Sequence, residues 1–184
     1  MCLSGKGVSL TPTTSVHVAD QTMTMSMSRR VALTAAMAGL ANVLALLSLP
    51  LPLSPFETRL HLIQLPILLA ALLAGPWVGA ATGLLGALLT SSQVGIPFIV
   101  GGNAILGAMA GYLTFKGFRP MVASVVALAV ELPYVAATDL IYLQWPIVQM
   151  ILVKLSAETL ISAGIASFLL RSSAIKSLMS GLRT

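Results

Sequence analysis

Apolar residues gather into six stretches, each long enough to form a helix within a bilayer, separated by short polar or proline-rich breaks. They run from about Val31 to Leu49, Leu60 to Ala74, Trp77 to Leu89, Pro97 to Phe115, Met121 to Ala137 and Trp145 to Leu170. The breaks contain residues that stop helices. Pro50, Pro52 and Pro55 follow the first stretch, and Gly75-Pro76 separates the second from the third. Proline lacks the N–H and clashes with the preceding turn. Ser91–Gly95, Lys116–Pro120 and Thr138–Gln144 form the remaining turns, the last holding Asp139 and Tyr142. The second and third helices are short for a perpendicular crossing, so they are expected to pack as a hairpin or to occupy a locally thin region.

Small residues mark the faces where these helices meet. Gly75, Gly79 and Gly83 recur at four-residue steps, and Gly101, Gly102, Gly107 and Gly111 line the fourth helix. Small residues at this spacing let helix backbones approach closely in lipid. The first helix carries Ala32, Ala35, Ala36, Ala38 and Gly39, a face suited to another helix, either in a partner or within the bundle.

Composition agrees with this pattern. Of 184 residues, 57% are hydrophobic and 8% charged, against roughly 25% charged in a soluble domain, and the mean hydropathy is +0.97. The fold class expected is an all-α integral membrane protein, a compact bundle of six transmembrane helices over residues 29–172. Residues 1–28 are polar and are expected to be a disordered tail or an extension from a mis-assigned start. Residues 173–184 are expected to be a basic cytoplasmic tail. The net charge of +5 is no nucleic-acid footprint, because the basic residues sit at helix ends. Arg29, Arg30, Lys116, Arg119, Arg171, Lys176 and Arg183 fall on one side of a six-crossing chain, and Arg59 falls in a turn on the other. The positive-inside rule then makes both termini cytoplasmic.

The last stretch interrupts its apolar run with Lys154 and Glu158, four residues apart and so on one helix face, with Ser162 continuing that face. An ionisable group inside a span costs about 2.5–3.5 kcal/mol on insertion scales, so it normally serves a purpose. At ~1.5 Å rise per residue, Lys154 and Glu131 both lie ~12 Å below the outer surface and Asn103 lies at ~9 Å. Glu158 is one turn deeper. Tyr134, Tyr142 and Trp145 are placed to form an aromatic wall above them, with the segment from Pro50 to Gln64 covering the top. Two arrangements satisfy this pattern: an outward-facing pocket for a small polar ligand, or a Lys154–Glu131 or Lys154–Glu158 ion pair that braces the helices. Glu57 and His61 also stand four apart, but two ligands are too few for a metal, and an exposed ion pair is the expected reading. No metal site and no cofactor is expected.

Three stretches resemble a known family. LPILLAALLAGPWVGAATGLLGALL, Leu65 to Leu89, is similar to the second and third helices of the S components of energy-coupling factor (ECF) transporters, with an apolar helix, a Gly-Pro turn and a Gly-rich helix. GNAILGAMAGYL, Gly102 to Leu113, resembles their fourth helix, and the Ala32/Ala36 pair is similar to the motif that docks the T component. The resemblance covers roughly residues 30 to 172. It implies a prokaryotic plasma-membrane subunit that captures a vitamin or similar micronutrient at its outer side. Such a subunit works with a transmembrane T component and two cytoplasmic ABC ATPases, and has no ATPase of its own. No Walker motif occurs here, and nothing in the sequence assigns a subgroup.

Two rivals make different demands. An intramembrane enzyme calls for a nucleophile or metal motif such as GxSxG, HExxH or paired aspartates, and none occurs. A self-sufficient small homo-oligomeric transporter or channel calls for an inverted repeat, which the sequence does not display.

Overall fold

The computed structural model describes residues 25–47, 49–51 and 58–172. The expected tails before residue 25 and after residue 172 lie outside this range, as does Glu57. Met27 and Ser28 belong to the first turn of α1, Met27–Leu46. A short antiparallel hairpin follows, β1 Leu49–Leu51 and β2 Thr58–Leu60, with Leu49 opposite Leu60 and Leu51 opposite Thr58. Helical spacing had suggested that Glu57 and His61 share a face. Glu57 lies outside the described residues, and β2 leads straight to His61; Pro50 sits in β1, since proline is tolerated at a sheet edge but not inside a helix.

The remaining elements are α2 Gln64–Ala74, α3 Pro76–Gly86, α4 Leu88–Val94, α5 Ile99–Phe115, α6 Pro120–Asp139 and α7 Trp145–Arg171. The result is a six-helix bundle with α4 as a short extension of α3. Gly75 joins α2 to α3 at φ +89°, a left-handed conformation that glycine adopts without penalty. The break at Ala87 and the helical turn of α4 stand where a continuous helix to Leu89 and a polar turn at Ser91–Gly95 were expected. Asn42 of α1 holds this break: its Nδ2 donates to the Leu85 carbonyl at 3.0 Å, and its Oδ1 accepts from the Leu89 N–H at 3.1 Å.

Helices α1, α6 and α7 are long and apolar enough to cross a membrane, while α2 and α5 are shorter apolar helices. The brevity of α2 follows from its place. Pro66, Ile67, Leu68, Leu69, Ala70, Ala71, Leu72 and Ala74 are all buried, and a helix that is apolar all round belongs in an interior. Leu68, Leu69, Ala71 and Leu72 pack with Leu106 and Ala110 of α5, Ala123 and Ala127 of α6, and Ala163 and Ala166 of α7. Beside this core, α3 crosses α5 at backbone contact. A methyl group on Gly83 would overlap the Asn103 carbonyl, and one on Gly107 the Gly79 carbonyl. That crossing fixes the height and rotation of Asn103.

Hydroxyl side chains in the helices mostly bond their own backbone. Thr114 donates to Ala110 O at 2.8 Å, Ser124 to Pro120 O at 2.9 Å and Ser156 to Leu152 O at 2.7 Å. Internal satisfaction is what an apolar surrounding demands. Against that background, buried polar atoms left without partners stand out.

Candidate functional site

At the end of the bundle away from Arg29, Arg30, Lys116, Arg119 and Arg171 lies a cavity of about 610 Å³. Its walls come from the end of α1, the start of α2, α4, the start of α5, the second half of α6 and the first half of α7. Asn103, Glu131, Lys154 and Glu158 all line it. The similar depths reckoned along three separate helices correspond to one void.

Each of these side chains is set by its helix. On α7, Glu158, Thr159, Ser162, Ala163 and Ala166 are buried while Val153, Leu160, Ile161 and Phe168 are exposed, so the polar stripe faces inward. Lys154 Nζ stands 3.7 Å from Glu158 Oε1. Among the described residues, Glu158 is the carboxylate paired with this lysine. The alternative Lys154–Glu131 pair is not formed. Glu158 is 2% exposed and also accepts the backbone N–H of His61 at 2.8 Å.

His61, which spacing pairs with Glu57 outside the described residues, is found at the cavity. It follows the hairpin, and its ring enters the cavity wall with Nε2 3.4 Å from Lys154 Nζ and Nδ1 3.4 Å from Glu158 Oε1. Burial, and after it the charge of Lys154, lowers its pKa from 6.5 to about 4. The imidazole is thus neutral near pH 7, and its approach to Glu158 is not an ion pair. A neutral ring that accepts from Lys154 at Nε2 carries its proton on Nδ1, toward Glu158.

Next to it, Gln64 opens α2. Thr159 of α7 donates to its Oε1 at 2.6 Å, tying the central helix to the polar stripe. Gln64, Thr90, Gln93, Thr138 and Asp139 also line the cavity. Asp139 was assigned to a turn, but α6 continues through Pro133 to include it. Glu131, Val135, Thr138 and Asp139 then form one stripe at helical spacing. That periodicity was present in the sequence, masked by the expected end of the helix at Ala137.

Glu131 is 1% exposed, and its Oε2 has no hydrogen-bond partner. Asn103 donates from Nδ2 to Ile99 O at 3.0 Å, leaving its Oδ1, also buried, unpartnered.

The aromatic wall is arranged differently from the expectation. Tyr134 lies over Gly101 with its hydroxyl 3.4 Å from Phe98 O, outside the cavity lining. Tyr142 stacks at a tilt on Phe98, centroids 6.1 Å apart, and Trp145 is 51% exposed. Neither lines the cavity; Phe98 does. Both residues follow the end of α6, where exposed aromatic rings suit a membrane interface. Ala32 and Ala36 are exposed on α1. Among the described residues, no group of three or more His, Cys, Asp or Glu is arranged to hold a metal.

No protein-family model matches this chain, and no curated protein does. A solved structure of the S component of a bacterial ECF transporter superposes on it with a TM-score of 0.52 at 20% identity, covering 86% of this chain and 100% of that one. The fold is therefore that of an ECF-transporter S component: a membrane helical bundle with a polar cavity at one end.

Proposed function

We propose that this chain is the substrate-binding membrane subunit of an ECF-type ABC importer. It captures a water-soluble vitamin or similar micronutrient in the cavity and delivers it with a T component and two ATPases. The observation that carries this reading is the cavity itself. It opens opposite the basic end of the bundle, and buried polar atoms without protein partners line it, inside a fold shared with an S component. By the positive-inside rule the basic end is cytoplasmic, so the cavity faces outward. A brace alone would leave fewer orphans: the Lys154–Glu158–His61 cluster is complete without Asn103 or Glu131, whose free acceptors cost about 1–3 kcal/mol each unless something meets them.

Docking falls to the small-residue face of α1. Ala32 and Ala36 are exposed, and beside them Cβ positions at Gly39 meet nothing within 4 Å. Affinity-tagged chain isolated from its native membrane should bring with it a membrane protein of the T-component type and two ABC ATPases. Ala32→Trp and Ala36→Trp should abolish that capture and uptake, while ligand binding by the isolated subunit persists. A chain recovered alone or as a homo-oligomer that transports unaided would replace this reading with that of a self-sufficient transporter.

A further inference from the structure

We infer that the ligand presents a positively charged, hydrogen-bond-donating nitrogen to the α6 side of the cavity. This rests on the reading of the cavity as a ligand site and specifies what the site takes. Among the described residues, three carboxylates line the void, Glu131, Asp139 and Glu158, against one cation, Lys154. The lysine is committed: its Nζ stands 3.7 Å from Glu158 and 3.4 Å from His61. Among the described residues, Glu131 and Asp139 have no ion-pair partner, although they are only 1% and 4% exposed.

The hydrogen-bonding inventory points the same way. Glu131 Oε2 is buried and unpartnered. Asn103 cannot turn its amide around, because Nδ2 must face the Ile99 carbonyl to which it donates. The group aimed at the void is therefore Oδ1, an acceptor. Both line the same void, and α5 and α6 meet beside them: a Cβ on Gly102, the neighbour of Asn103, would sit 3.5 Å from Glu131 Oε1. An amide oxygen and an ionised carboxylate cannot satisfy each other, so the partner must bring N–H or O–H donors, and with two carboxylates that have no counter-ion among the described residues a cationic nitrogen is favoured over a neutral donor. An anionic ligand would meet like charge on α6, and the cation described on the wall, Lys154, is already paired. Among the described residues, Phe98 is the one Phe, Tyr or Trp on the wall, so charge and hydrogen bonding, more than ring stacking, set the selectivity there.

The test uses the purified full chain in lipid nanodiscs, incubated with the small-molecule fraction of yeast extract and washed, with retained compounds identified by mass spectrometry. The expected result is enrichment of compounds carrying a protonated or quaternary nitrogen with adjacent N–H donors. Their retention should fall roughly 10- to 100-fold in Glu131→Gln, as expected for a lost charge-assisted bond, with Asp139→Asn lowering it in the same direction. Thermal melting establishes that each variant is folded, and Asp139→Asn serves where Glu131→Gln is not. Retention of an anion, or of a neutral compound without N–H groups, overturns the inference and leaves the binding function standing. Equal retention of a cation by the wild type and both folded variants also overturns it. Retention of nothing overturns both.

Discussion

Lys154 offers the sharpest test of what holds the polar end of the bundle. Its Nζ lies 3.7 Å from Glu158 Oε1. Two unit charges at that separation attract by about 4–5 kcal/mol at an effective dielectric of ~20. The lysine side chain is 18% exposed, so water in the cavity reduces this, and a coupling of roughly 2–4 kcal/mol is expected. Lys154→Met leaves Glu158 with the His61 N–H as its partner and no compensating charge. Stranding a buried charge costs about 3–5 kcal/mol. Adding Glu158→Gln removes the stranded charge and keeps an acceptor for the His61 N–H, so the double variant should recover most of the loss. The assay is a double-mutant cycle on denaturant unfolding in lipid-detergent micelles, read alongside ligand retention by the folded fraction. A Lys154→Met variant as stable as wild type would show the pair to contribute nothing. A double variant less stable than both singles would refute the stranded-charge argument. Normal retention in the folded fraction of Lys154→Met would make this pair a brace, with the ligand held by other groups.

Three further outcomes follow from the geometry. Gly107→Ala should destabilise the bundle by roughly 1–3 kcal/mol in the same unfolding assay, because the added methyl meets the Gly79 backbone and no flexible side chain can yield; unchanged stability would mean that α3 and α5 do not cross this closely. His61 binds its proton less readily when folded than when unfolded, so the stability it supports is full above pH 6.5 and falls as pH drops toward about 4. Allowing for the residual exposure of the ring, the loss should be roughly 2–3 kcal/mol, absent in His61→Gln; a melting temperature equally pH-dependent in both proteins would rule this out. Gln93→Cys should react with a membrane-impermeant maleimide from outside intact cells while Phe118→Cys stays protected, and the reverse pattern would invert the topology.

Much of this protein was legible along the chain. Six apolar stretches set the helices, because a bilayer leaves a spanning backbone little choice but to bond within itself. Recurrent glycines at four-residue spacing marked a close crossing, found between α3 and α5. Depth counting brought Asn103, Glu131 and Lys154 to a common level, since rise per residue in a helix is fixed. Such quantities are local: periodicity, length and distance from a helix end can be read without knowing a neighbour.

Pairings were decided elsewhere. Lys154 could have met Glu131 or Glu158, and which carboxylate it reaches depends on how α6 and α7 are rotated about their axes. That rotation is set by the core they join, Ala123 and Ala127 of α6 and Ala163 and Ala166 of α7. His61 meets Glu158 across 97 positions of sequence because β2 of the short hairpin delivers it to the cavity wall. Asp139 joins the wall because α6 runs on past Pro133, Tyr142 and Trp145 miss it because they follow the end of that helix, and Tyr134 misses it because it turns onto Gly101. The sequence by itself determined where helices form and how deep their polar groups lie; only tertiary packing, which sets rotation and the meeting of distant segments, decided which of those groups face one another.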